Sequence, residues 1–173
     1  MSFTKIACIG NRNIPEEYKP ILKNIGSYLI KKGFIIASGN ATGSDEWFCK
    51  GGNEINPTNI NLYLPNKEYN IHLIHPDNNI INIKEDFLSL TEIDSVLEKV
   101  HPKWNELREN IKNIHRRNYS IIKNSKYVVC YMDETSEFGG TILGAKIAKT
   151  LDIPVINIKD IKNPLELIEK RII

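Results

Sequence analysis

Short apolar runs alternate with amphipathic stretches along nearly the whole of this sequence, and that alternation leaves a chain few ways to fold. Lys5 to Ile9 is a compact apolar run that stops at Gly10. From Glu16 to Lys32, Tyr18, Ile21, Leu22, Ile25, Tyr28 and Leu29 recur at helical steps, the stripe of an amphipathic helix, and Gly33 follows as its C-cap. Phe34 to Ala37 is a second strand, and the small residues Ser38 to Asp45 lead into a helix holding Trp47, Phe48 and Cys49. Ile60 to Leu64 is a third strand, Tyr127 to Tyr131 a fourth and Pro154 to Ile158 a fifth, with a helix over about 142–150. Strands separated by helices in this way build βαβ units and a parallel sheet, because a parallel neighbour needs a long crossover.

The spacing therefore predicts an α/β fold: an open, Rossmann-like parallel sheet of about five strands with helices on both faces. At 173 residues with 41% apolar content, the chain is read as one domain, 1–173. Residues 66–100 are the least regular part and are read as an insertion or lid, too short to bury a core of their own. Within them Pro76-Asp77-Asn78-Asn79 is a turn signal and Leu90 to Val100 a helix. A further helix from Pro102 carries Trp104, Leu107, Ile111 and Ile114 and is expected to end at His115-Arg116-Arg117-Asn118, where cations would complement the helix dipole.

Charge and cysteine usage restrict the partners. A formal net charge of +2 provides no whole-molecule basic field, so contact with any polyanion has to be local. Cys8, Cys49 and Cys130 lie far apart in apolar surroundings, as expected of thiols in a reducing, cytoplasmic compartment. No export signal and no apolar run of membrane-spanning length is present, so no membrane partner is expected. His72, His75 and Asp77 lack the closed spacing of a zinc site, and no metal is assigned.

In an open parallel sheet ligands bind beyond the carboxyl ends of the strands, at the point where the strand order reverses. Three polar turns fall at such ends. Gly139-Gly140-Thr141 precedes a helix, so its amides and the helix dipole make an anion site, although the same residues also serve a tight turn. The loop Ser38-Gly39-Asn40-Ala41-Thr42-Gly43-Ser44-Asp45 lets a backbone approach a ligand closely while Asp45 accepts from sugar hydroxyls; equally, Ser44 or Asp45 can simply cap the next helix. After the first strand, Gly10-Asn11-Arg12 offers a guanidinium suited to bidentate phosphate contact, or an ordinary surface arginine. The expectation is that all three turns present amide hydrogens to one charged ligand.

Taken together, Gly10-Asn11-Arg12, the Ser38 to Asp45 loop, His115-Arg116-Arg117-Asn118, Gly139-Gly140-Thr141 with Ala145 and Ala148, and Ile153-Pro154-Val155 resemble the SLOG superfamily, in particular its DNA-processing-protein-A-like phage and bacterial branch. The resemblance covers nearly everything except 66–100. It implies a nucleotide-type ligand at Gly10, Asn11, Arg12, Ser38, Gly39, Asn40, Ala41, Gly43, Asp45, Arg117, Asn118, Gly139, Gly140 and Thr141, with no separate cofactor. It also implies a homo-oligomer. Three functions come with it: holding a small ADP-ribose-like or cyclic nucleotide signal, as a phage protein in the host cytoplasm would to blunt a defence; phosphoribohydrolase action on nucleotides, as in the Lonely-Guy branch; and single-stranded DNA binding in recombination. The hydrolase branch carries a glutamate soon after its Gly-Thr loop, whereas Thr141-Ile142-Leu143-Gly144 offers no acid, leaving Asp45, Glu46, Asp133 and Glu137 as displaced candidates. That departure argues for binding without catalysis. The DNA reading asks for a basic groove interleaved with aromatics, and one short arginine pair supplies little of it.

Overall fold

A computed structural model describes residues 3–83, 90–135 and 139–172. Six strands, β1 (Lys5–Gly10), β2 (Ile35–Ser38), β3 (Ile60–Leu64), β4 (Asn79–Asn82), β5 (Tyr127–Tyr131) and β6 (Val155–Asn157), form one sheet in the order β4-β3-β2-β1-β5-β6, with every pairing parallel. The helices are α1 (Tyr18–Lys31), α2 (Ser44–Asn53), α3 (Leu90–Val100), α4 (Glu109–Ile122), α5 (Gly140–Thr150) and α6 (Pro164–Arg171). None of them is long and apolar enough to cross a membrane.

The central strands are buried on both faces, and their two-residue period sorts them into two cores. Ile6 and Cys8 of β1, with Val129 and Tyr131 of β5, pack against Leu22, Ile25 and Leu29 of α1, Phe48 of α2 and Ile168 of α6. Ala7 and Ile9, with Val128 and Cys130, face Ile93 and Leu97 of α3, Tyr119 and Ile122 of α4, and Ile147 of α5. All three cysteines are free and buried. On the first face α1 and α2 cross almost backbone to backbone: a Cβ on Gly51 would stand 1.8 Å from the Lys23 carbonyl oxygen.

The sheet has six strands rather than about five, and the extra one comes from the segment read as an insertion. As an edge strand of four residues, β4 exposes Asn79, Ile80 and Asn82, so it carries none of the apolar patterning by which the other strands announce themselves. It is held by its register on β3 and by the Asn79 amide, which donates to the Thr58 carbonyl (2.6 Å) and to Asn61 Oδ1 (3.1 Å). The following α3 buries Ile93, Leu97 and Val100 in the second core. This part of 66–100 is integral to the layered architecture.

The helix holding the arginine pair also differs from its expected bounds. Trp104–Glu106 form a separate short helical turn, and α4 runs on past Asn118 to Ile122, because Tyr119, Ile121 and Ile122 continue its buried face. Arg116 and Arg117 therefore lie inside the helix and are both buried, so capping by the dipole does not account for them. Arg116 has a structural role: its Nε and Nη2 donate to the two carboxylate oxygens of Asp94 on α3 at 2.9 Å each, it also pairs with Glu109, and its guanidinium lies 5.7 Å from the Trp104 ring. Replacing it by alanine strands a partly buried carboxylate. We expect Arg116→Ala to lower the unfolding free energy by about 2–3 kcal/mol in urea titration; a shift under about 0.5 kcal/mol, typical of surface changes, would show the pair to be dispensable.

Candidate functional site

The strand order reverses between β1 and β5. Crossovers from β1 lead toward β2, while β5 leads away to β6, so a crevice opens past the paired ends Gly10 and Tyr131. A pocket of about 400 Å³ lies there. Of the residues expected in the site, Gly10, Asn11, Arg12, Ala41, Asp45, Arg117, Asn118, Gly139, Gly140 and Thr141 all line it.

Ser38, Gly39, Asn40 and Gly43 do not line the pocket but set its shape. The Ser38 hydroxyl accepts from the Asn40 amide (3.3 Å). Gly39 is wedged between two side chains: a Cβ there would stand 2.7 Å from Arg117 Nη1 and 3.1 Å from Asp45 Oδ2. Asn40 adopts a left-handed conformation (φ 57°), and its side-chain amide donates to the carbonyls of Tyr69 and Asn70 (3.1 Å each), while the Asn70 amide donates back to the Asn40 carbonyl (3.0 Å). Gly43 has φ 82° and lies so close to Arg12 that a Cβ would sit 2.0 Å from its carbonyl oxygen.

The turns converge, but they do not all offer amides. The Asn11 N–H donates to the Tyr131 carbonyl (3.0 Å), and the Asn11 carbonyl accepts from Ser44 N–H (3.1 Å) and Ser44 Oγ (2.8 Å). In the second loop the Ala41 amide donates to Asp45 (3.2 Å) and the Gly43 amide to Glu46 (3.4 Å), so two loop donors are taken up by acids of the first turn of α2. These two turns contribute side chains and shape instead. The third turn is different. Gly139 gives α5 no side-chain cap, its first turn holds no acid, and no described residue accepts from the amides of Gly140, Thr141 or Ile142. All three residues line the pocket.

Arg117 crosses the crevice. Only 5% exposed, it donates from Nη1 to the Gly39 carbonyl (2.6 Å) and from Nε to Asn118 Oδ1 (3.1 Å), and it faces the Tyr69 ring at 5.6 Å. Both of these acceptors are neutral, and no described carboxylate forms an ion pair with Arg117 or Arg12. Burial pulls the Arg117 guanidinium below its ordinary value and Asp45 pushes it back up, but a guanidinium stays charged in either case. Arg12 is exposed and donates to the Tyr69 hydroxyl (3.3 Å).

Asp45 is the buried carboxylate of the site. Burial lifts its carboxyl to about 6, against the opposing pull of Arg117 and of the Ala41 and Gly39 amides. Among the other acids proposed for chemistry, Glu46 pairs with Lys50 and accepts from Gly43, Asp133 stands at the rim and accepts from the Thr135 amide, and Glu137 falls outside the described residues.

Sequence reasoning missed one pocket-lining residue, His115, and also Tyr69, which is outside the lining but meets Arg12 and Arg117. Tyr69 sits in an irregular stretch with no motif to mark it. His115 lines the pocket beside Ile111, Ile114 and Ile142; burial first, then His101 and Arg117, push its imidazole down to about 4, and its Nδ1 has no hydrogen-bond partner among the described residues. His75 has its Nδ1 occupied by the Asp77 amide (3.1 Å), and the described residues contain no cluster of metal-ligating side chains.

No protein-family model and no curated relative matches the sequence. Solved structures do match. DNA processing protein A from Helicobacter pylori, described for its single-stranded DNA binding mode, superposes with a TM-score of 0.61 at 20% identity, over 96% of this chain and 72% of that one. The structural-genomics protein TM1055 gives 0.60 at 18% identity, over 99% and 83%. DNA processing protein A from Streptococcus pneumoniae gives 0.54 at 14% identity, and this chain spans only 57% of it. The chain thus has a Rossmann-like parallel α/β fold similar to that of DNA processing protein A.

Asp45 fixes a sign for pH dependence. Its folded value lies above the unfolded one, so the folded state binds more protons between about pH 4 and 6, and stability falls as pH rises through that window. The ionised form is disfavoured by about 3 kcal/mol for a shift of this size. Asp45→Asn should therefore gain stability relative to the wild type as pH is raised from 4 to 7, measured by urea unfolding at each pH. A difference that stays flat with pH would place Asp45 in a more solvated setting than its burial indicates.

Proposed function

We propose that this protein binds a small phosphate-bearing nucleotide in the β1/β5 crevice and holds it without turnover. The observation that carries the reading is Arg117: a buried guanidinium whose hydrogen-bond acceptors are neutral, in the same pocket as the residues that open α5, whose amides have no acceptor among the described residues. A buried cation without a contacting carboxylate is costly unless an anion joins it, and a helix N-terminus favours the same charge. The same pocket is lined by Ile111, Ile114, Ile142 and the neutral His115 ring, which suits the uncharged part of such a ligand. ADP-ribose-like and cyclic signalling nucleotides both fit this description, and retention without hydrolysis is what a sequestering protein requires.

Single-stranded DNA, which the Helicobacter protein binds, fits less well. The pocket is compact, and Trp47, a partly exposed aromatic with flanking cations, has its Lys19 and Lys50 already paired with Glu16 and Glu46. The hydrolase reading survives in one residue: among the described candidate acids, Asp45 alone both lines the pocket and is buried.

Gly140 tests the anion site. A Cβ there would meet only Asn118 Nδ2, at 3.6 Å, so the fold accepts a side chain, and an acid in the first turn suits the helix dipole. Gly140→Asp should abolish the binding of nucleoside phosphates in calorimetry while leaving the melting temperature within about 3 °C. Retained affinity would dismiss the site. Incubated with nucleoside monophosphates or ADP-ribose, the wild type should release no free base on chromatography. Base release that is lost in Asp45→Asn would replace the binder with the hydrolase.

A further inference from the structure

We infer that His115 sets the specificity of the pocket: its imidazole is held in the Nε2–H tautomer and donates one hydrogen bond to an acceptor on the uncharged part of the ligand. This deepens the nucleotide reading and rests on it.

His115 occupies the middle of the stripe that α4 turns toward the pocket, with Ile111 and Ile114 before it and Asn118 after it. Its two ring nitrogens stand in different settings. Nδ1 is enclosed by protein and has no hydrogen-bond partner among the described residues. Nε2 has no partner among them either, but it is not enclosed. It is therefore the nitrogen that solvent reaches, and that a ligand displacing this solvent would meet.

The surroundings decide which nitrogen carries the proton. An uncharged imidazole has one donor and one acceptor, and an enclosed N–H without an acceptor is the costlier of the two to strand. Among the polar neighbours of the ring, none has an acceptor to spare. The His101 ring lies 5.1 Å away between centroids, with its Nδ1 already accepting from the Lys103 amide (3.2 Å). The Trp104 ring, at 6.3 Å, carries only a donor. Arg117 is a donor as well, and it engages the Asn118 Oδ1 through its Nε (3.1 Å). The proton accordingly belongs on Nε2. Burial, His101 and Arg117 together keep a second proton off the ring at neutral pH.

A ring in that state brings no charge, so it adds little to the hold on phosphate, which falls to Arg117. It sorts ligands by what stands opposite Nε2. A ring nitrogen or carbonyl oxygen there accepts the proton, whereas an N–H or C–H leaves the donor unmet once water has been expelled.

Nitrogen-15 NMR of the full chain without ligand reads the tautomer directly. We expect the Nε2–H form of His115 at pH 7; the Nδ1–H form, or an imidazolium, overturns the inference whatever the protein binds. Calorimetry then compares adenosine, guanosine, cytidine and uridine monophosphates with ribose 5-phosphate, which has no base. The wild type should bind at least one of the four about tenfold tighter than ribose 5-phosphate, the worth of one hydrogen bond. His115→Gln, whose amide nitrogen reaches to where Nε2 stood, should keep that preference within about threefold; His115→Asn, whose amide reaches only as far as Nδ1, should lose it. Loss in both variants or in neither overturns the donor role, as does a wild type that prefers no nucleotide to ribose 5-phosphate, and each of these leaves the phosphate site standing. A wild type that binds none of the five compounds removes the nucleotide reading and this inference with it.

Discussion

The geometry of this protein turns on one reversal: β1 and β5 lie side by side, yet the chain leaves them in opposite directions. Nothing regular can fill the gap past their ends, so the turns there must be held by side chains and by one another. Ser44 binds the backbone of Asn11, Gly43 abuts Arg12, and Arg117 reaches from α4 on one face of the sheet to the Gly39 carbonyl at the end of β2, a contact across 78 residues. The crevice is rigid because its own walls are braced across it. That bracing places a charged group where solvent is scarce.

Two glycine-bearing loops that look alike in sequence meet opposite fates there. Both precede a helix, and both helices begin with unpaired amides. In α2 the first turn carries Asp45 and Glu46, which fold back on the loop and consume its donors. In α5 the first turn is Gly140, Thr141 and Ile142, with no acid to do so. The glycines are common to both loops; the side chains in the first helical turn are not. The acids of the first turn make the N-terminus of α2 the less favourable of the two for an anion.

Much of this was legible from residue order alone. The central strands and α1 declared themselves because they are buried on periodic faces, and Ile60–Leu64, Tyr127–Tyr131 and Leu90–Val100 stand where the apolar pattern puts them. What escaped was whatever lacked burial or a local signature. The edge strand β4 shows its side chains to solvent, so Asn79 to Asn82 reads like a loop. The course of α4 was obscured because Trp104 and Leu107 continue the apolar spacing backward into a separate turn. Arg116 and Arg117 are adjacent in sequence yet face different layers, one tied to Asp94 and one to Gly39; only the three-dimensional helix separates a structural arginine from a site arginine. Tyr69 enters through the Asn40 and Asn70 bonds, a tertiary event with no sequence signal.

A shared fold does not carry a shared ligand, and here the distinction falls inside the crevice. A groove for a long polyanion needs cations repeated along an open track, with aromatic faces between them. This pocket instead is lined by Arg12 and Arg117 together with apolar Ile111 and Ile114 and with His115, which burial keeps neutral and whose Nδ1 has no described partner. Under the nucleotide reading, a lining of that kind selects a small molecule with both a charged and an uncharged part. A bare anion leaves Ile111 and Ile114 uncovered, and an uncharged ring adds no counter-charge to Arg117 beyond Asp45. Because the fold has already desolvated Arg117, an anion that reaches it meets a preorganised donor, and the electrostatic gain is larger than the same contact would give on an exposed surface.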